Sequence, residues 1–154
     1  GYDFALLRGV IETNDQHYER IADKVTAMCG GSIDGLVVAA WGLTFKAGTD
    51  DLRDSPAVKI LSMLHRAGAQ VRAFDPTARG AYAAYPWIEV GESALGVCAG
   101  ADVLAVLTEW PEFRELAPRG VADAMAHARV VDGRNHLNRE EWQSAGFAYM
   151  GVGR

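Results

Sequence analysis

A chain of 154 residues with 49% hydrophobic content is long enough to bury one substantial core, so a single compact domain is the expectation. Its formal net charge of −5 argues against the basic footprint of a nucleic-acid binder. An anionic small ligand stays compatible with that charge, because it responds to cations within a Debye length of about 8 Å rather than to the distant total.

No apolar run approaches the roughly 20 residues that span a bilayer, and the first residues lack the charged-then-apolar pattern of a secretory signal. Cys29 and Cys98 stand far apart with no CxxC or Cys/His cluster around them. The reading is a soluble, cytoplasmic protein with no membrane partner, no disulfide framework and no metal site, whose thiols are buried or idle.

In chain order, Phe4, Leu7, Ile11, Asn14, Tyr18, Ile21, Val25 and Met28 recur at alternating spacings of three and four. This spacing predicts one long helix ending near Cys29, where Gly30-Gly31 supplies the stop. Such a helix must lay its seam on the following domain, on an upstream one or on a second subunit, and a subunit contact is the expectation. Asn14 within the seam either fixes register between paired helices or is a satisfied core amide.

From Leu36 the pattern changes to short apolar runs alternating with helical stretches, as in a parallel sheet covered by helices on both faces. Strands are expected at 36–41, 71–74, 103–107, 129–131 and 147–150. Helices are expected at 56–67, with Ser55 as N-cap and Pro56 at the first position, and at 121–127 and 139–145. The signal at 92–98 is weaker, and the stretch from Thr77 to Trp87 reads as a surface excursion. There is no internal repeat.

Ligands of open α/β sheets bind beyond the carboxyl ends of the strands, so the polar residues after each strand matter most. After the first strand a long loop, Gly42 to Ser55, carries Phe45, Lys46 and Arg53 into a helix N-terminus. It is neither GxGxxG nor a P-loop, so a phosphate there would be held mainly by side chains. Thr108-Glu109-Trp110-Pro111-Glu112-Phe113 follows the third strand and Asp132-Gly133-Arg134-Asn135 the fourth, with Arg134 placed for a forked contact to an anion. Each cation also has an ordinary reading: Lys46 as a solvated loop residue, Arg53 as a partner of Asp50 or Asp51, Arg134 as a turn residue. Their joint placement at strand ends favours a ligand without naming it.

The segment from Val38 to Pro56, ending in GLTFKAGTDDLRDSP, resembles the start of the C-terminal domain of the UDP-glucose/GDP-mannose dehydrogenase family. VRAFDP, LTEWPEF and VDGRN follow in that family's order, and the opening GYDFALLRGVIETNDQ looks like its central helix. The resemblance implies a Rossmann-like three-layer αβα fold with a mainly parallel sheet, preceded by the long helix. Residues 1–30 would belong to the central linking and dimerisation helix and 33–154 to the UDP-binding domain. It further implies that Phe45, Lys46 and Arg134 contact a UDP-sugar, that Arg53 approaches the NAD phosphates, and that the protein is a homodimer through the N-terminal helix. Asp75 and Glu109 are expected to be structural, holding strand-end turns.

Family members carry the sugar C6 alcohol to the acid by two hydride transfers to NAD, through a cysteine-bound thiohemiacetal and thioester. The nucleophilic thiol and the NAD-binding Rossmann domain would lie upstream, so the chain reads as a fragment with no catalytic residue of its own. UDP-glucose is the expected substrate, in a role in polysaccharide biosynthesis, and the isolated chain is expected to bind UDP or UDP-glucose weakly. The alternatives are a GDP-mannose or UDP-N-acetylhexosamine dehydrogenase fragment, or a non-catalytic UDP-sugar-binding or dimerisation module. A phospho-receiver domain fits poorly, because Leu107-Thr108 stands where its strand-end aspartate should be.

Overall fold

The computed structural model describes residues 4–44, 52, 55–77 and 84–153, with 4–13 as backbone alone. Helix α1 (Phe4–Met28) is followed by β1 (Val37–Trp41), α2 (Pro56–Arg66), β2 (Gln70–Phe74), β3 (Ile88–Val90) and the short α3 (Ala94–Val97). Then come β4 (Val103–Val106), a 3-10 turn (Pro111–Glu115), α4 (Pro118–Ala124), β5 (Arg129–Asp132), α5 (Arg139–Ser144) and β6 (Ala148–Gly151).

Val38, Ala39, Ala40 and Trp41 are all buried, which a strand achieves only at the centre of a sheet covered on both faces. Alternation sorts them: Val38 and Ala40 face one core with Val71, Ala73, Val103 and Ala105, while Ala39 and Trp41 face the other with Phe74, Leu104 and Val106. Helices α1 and α2 cover the first face through Ile21, Ala22, Val25, Ile60, Leu61 and Leu64. Helices α3, α4 and α5 cover the second through Val97, Val121 and Trp142, joined by Phe113. Trp41 anchors that side, stacked on Phe113 with centroids 5.2 Å apart, edge-on to Trp142 at 5.8 Å, and donating from Nε1 to the Ala94 carbonyl at 2.8 Å.

The strands lie in the order β3-β2-β1-β4-β5-β6, and every pairing is parallel. The expected mainly parallel sheet is thus wholly parallel among the described residues. The chain winds outward from β1 to β3, returns to β4 beside β1, and winds outward again to β6. That is the doubly wound order, with its topological switch between β1 and β4.

One expectation changes. Ile88–Val90 is an edge strand paired to β2, and Tyr85 and Trp87 pack on the α1/α2 core, Trp87 stacking on His65 at 4.8 Å. The described end of the expected surface excursion is therefore built into the fold. The C-terminal part of the α1 seam buries Ile21, Ala22 and Val25 on its own sheet, with Tyr18 and Met28 half-buried beside them, while the side chains before Asn14 lie outside the described residues. Lys24 Nζ adds a hydrogen bond to the Gly151 carbonyl at 2.7 Å. Asn14 is exposed, so it is no core amide of this domain.

Candidate functional site

At the carboxyl rim two buried carboxylates organise the loops. Asp75, directly after β2 and 1% exposed, accepts through Oδ2 from the Leu43 amide (2.8 Å), the Thr44 amide and hydroxyl (both 3.1 Å) and Trp110 Nε1 (3.2 Å). Its Oδ1 takes the Thr77 amide at 2.9 Å. One side chain thereby binds the exits of β1, β2 and β4 together, and among the described residues the charge is met by converging donors.

Across the switch, Gly42 has φ +101, and a Cβ there would lie 2.4 Å from Thr108 Cβ. Only glycine lets the two exits approach this closely. Thr108 Oγ1 completes the seam by donating to the Thr44 carbonyl at 3.1 Å. At the far end of the β1–α2 loop, Ser55 Oγ donates to the Leu43 carbonyl at 2.6 Å and caps α2 by accepting from the Val58 amide. Thr44 and Ser55 are both buried. The loop that carries Phe45, Lys46 and Arg53 is therefore anchored at both ends on the rim, although those three residues themselves lie outside the described residues.

The second carboxylate is Asp132, the last residue of β5 and fully buried. It accepts from the Arg134 amide (3.2 Å), the Leu137 amide (2.8 Å) and the Tyr149 hydroxyl (2.8 Å), fixing the turn that presents Arg134. Asn135, at φ +49, exchanges two hydrogen bonds with the Val152 backbone. His136 Nε2 meets the Trp110 carbonyl at 2.8 Å, and Arg114 Nε donates to the His136 carbonyl at 2.8 Å, so the β4 and β5 exits are also joined. A polar cleft of about 390 Å³ opens beside them, lined by Arg114, Asn135, His136, Asn138, Glu141 and Trp142.

Of the four expected ligand contacts, Arg134 is the one described. It stands on the rim about one-third exposed, its Nε 2.5 Å from Glu109 Oε2. Asp75 is structural as expected. Glu109 acts differently from the expected turn-holding, through this ion pair between neighbouring strand exits. Asp132, Trp110 and His136 were not singled out from sequence; an aspartate ending a buried strand, as in Val130-Val131-Asp132, was the available signal.

The two cysteines offer no activated nucleophile. Burial pushes the Cys98 thiol up to about 12, and it lies against the Ala94 carbonyl in the core. Burial also raises Cys29, against the opposing influence of Arg129. Among the described residues no group of His, Cys, Asp and Glu could hold a metal ion, and no helix is long and apolar enough to cross a membrane.

A doubly wound parallel sheet whose polar loops, hub carboxylates and cation gather at the β1/β4 end defines a Rossmann-type α/β domain with a ligand rim at its topological switch. Residues 39–139 match the profile of the UDP-glucose/GDP-mannose dehydrogenase family, UDP binding domain. The chain belongs to that family. It is 36% identical over 156 residues to the UDP-glucose 6-dehydrogenase TuaD of Bacillus subtilis, covering 100% of this chain and 34% of that protein. It is 37% identical over 161 residues to a UDP-glucose 6-dehydrogenase of Pseudomonas aeruginosa, covering 100% and 36%. Among solved structures, an NDP-N-acetyl-D-galactosaminuronic acid dehydrogenase of Methanosarcina mazei superposes with TM-score 0.80 at 28% identity, covering 100% of this chain and 32% of that one. A UDP-glucose dehydrogenase of Pyrobaculum islandicum does so with TM-score 0.79 at 26% identity, covering 96% and 32%. The chain spans about a third of the length of these relatives.

Proposed function

We propose that this chain is the nucleotide-sugar-binding part of a cytoplasmic, NAD-dependent dehydrogenase that oxidises UDP-glucose to UDP-glucuronate. Residues 33–154 form the UDP-binding domain, and residues 1–30 belong to a helix that links it to an upstream domain and pairs in a homodimer. Phe45 offers the sugar nucleotide an apolar surface, Lys46 and Arg134 offer its diphosphate positive charge, and Arg53 approaches the phosphates of NAD. The observation that carries this reading is Arg134, held at the sheet rim by a turn whose every bend is fixed through Asp132. The choice of UDP-glucose is supported by relatives of that name matching along the whole chain at 36–37% identity.

NAD, when bound, supplies the hydride acceptor. Its pyrophosphate usually lies in the glycine turn after the first strand, where missing side chains let the backbone approach. In this domain the open side of Gly42 is filled by Thr108. That turn does not fit a pyrophosphate, which supports placing most of the NAD site in the upstream domain.

Titration calorimetry with UDP tests the assignment. Lys46→Ala and Arg134→Ala are each expected to weaken binding about tenfold to a hundredfold, the usual loss for a charge-assisted hydrogen bond. Unchanged affinity in both variants would defeat the reading, and GDP outcompeting UDP would redirect it to guanosine sugars.

A further inference from the structure

Glu109 puts a negative charge next to the cation proposed to receive an anionic diphosphate. By simple Coulomb bookkeeping it should weaken the site, so its presence calls for a compensating role. The geometry supplies one. Arg134 meets Glu109 through Nε, at 2.5 Å from Oε2. A guanidinium presents five donors in a rigid plane, so a side chain held at Nε still has terminal nitrogens with which to make bidentate contacts to phosphate.

The carboxylate end is committed. Glu109 Oε2 is shielded from solvent and, among the described residues, receives no aligned hydrogen bond, so the Arg134 charge is what compensates it. Were Arg134 to swing away toward a ligand, the pair would break and this oxygen, on a side chain about one-third exposed, would exchange the guanidinium for water.

The backbone reinforces the pair from both sides. The Arg134 amide is held by Asp132. The residue after Glu109 is Trp110, whose indole is tied to Asp75 and whose carbonyl meets His136. Both partners thus project from fixed main chain on adjacent strand exits, and only their long side chains have freedom to lose.

From this arrangement we propose that Glu109 is a positioning residue, which orders the Arg134 side chain before the ligand arrives and turns its terminal nitrogens toward the diphosphate. The inference rests on the reading of Arg134 as a diphosphate contact. Ordering a long side chain in advance removes a cost otherwise met on binding, corresponding to about fivefold in affinity.

The test is a double-mutant cycle on the full chain, with UDP as the titrant. Glu109→Ala should weaken UDP about fivefold. Glu109→Gln, which keeps the side-chain length and sheds the charge that holds the guanidinium, should weaken UDP to a similar extent. In an Arg134→Ala background, Glu109→Ala should have no further effect, since there is no guanidinium left to orient. Thermal melts of each variant separate lost fold from lost positioning. Glu109→Ala binding UDP as tightly as the parent, or more tightly, would overturn the proposal, showing the pair to be neutral or a competitor of the ligand. A Glu109→Ala loss that persists without Arg134 would overturn it too. If Arg134→Ala leaves UDP affinity intact, the ligand assignment falls and takes this inference with it; failure of the Glu109 arm alone leaves the assignment standing.

Discussion

Single buried groups set the chemistry of this domain more than its net charge does. Asp75 and Asp132 are accommodated in the interior because, among the described residues, eight backbone or hydroxyl donors and an indole reach them from the strand exits they join. Cys98 is the opposite case, a thiol with the core around it and a proton held from an unfolded value of 9.0 up to about 12. The folded state binds that proton more tightly than the unfolded chain does. The resulting stability is complete below about pH 9 and is lost as pH rises toward 12. Urea unfolding of the parent should therefore show about 2 kcal/mol lost through this group between pH 9 and about pH 10.5. Cys98→Ala, though weakened at neutral pH by its cavity, should lack that share of the decline. Equal declines in parent and variant would mean the thiol is not held protonated by the fold.

At the scale of elements, the sequence was most legible where a local signal had a direct physical cause. Ser55-Pro56 announced α2, and the helix begins at Pro56 with Ser55 capping it. Gly30-Gly31 closed α1, both glycines adopting positive φ. The expected helix at 121–127 instead runs from Pro118 to Ala124, because proline at the first position outweighed the apolar spacing that suggested the later start. Strand β3 escaped because three residues cannot display alternation, and an edge strand is specified by its neighbour β2 rather than by its own pattern. The site was legible only in part for a related reason. Cations after strands can be read off the chain, but the Glu109–Arg134 pair and the Asp75 hub join segments far apart in sequence. Ser55 invites a test at this scale, since its hydroxyl serves the helix cap and the Leu43 carbonyl at once. Ser55→Ala should cost about 2 kcal/mol, the sum of a lost cap and an orphaned buried carbonyl. UDP affinity should fall as well, because one end of the Phe45–Arg53 loop loses its anchor; a variant of parental stability would show that the hydroxyl is dispensable.

For the whole molecule the open matter is the long helix. At 25 residues α1 extends about 37 Å. Its C-terminal half is consumed by the domain through Ile21, Ala22 and Val25, and by Asn14 the helix faces solvent. Yet the apolar spacing of Phe4, Leu7 and Ile11 continues the same stripe toward the N-terminus. That part of the stripe needs a surface to cover it, and pairing with the same helix of another copy would supply one of matched length and pattern. Sedimentation velocity at tens of micromolar chain should accordingly show a dimer. The double substitution Leu7→Asp with Ile11→Asp should return a monomer while leaving the thermal melt of the sheet domain close to the parent, since Ile21, Ala22 and Val25, which hold α1 to the sheet, are untouched. A parent that stays monomeric at high concentration would remove the second copy from the account and leave the upstream part of a longer chain as the surface this stripe meets.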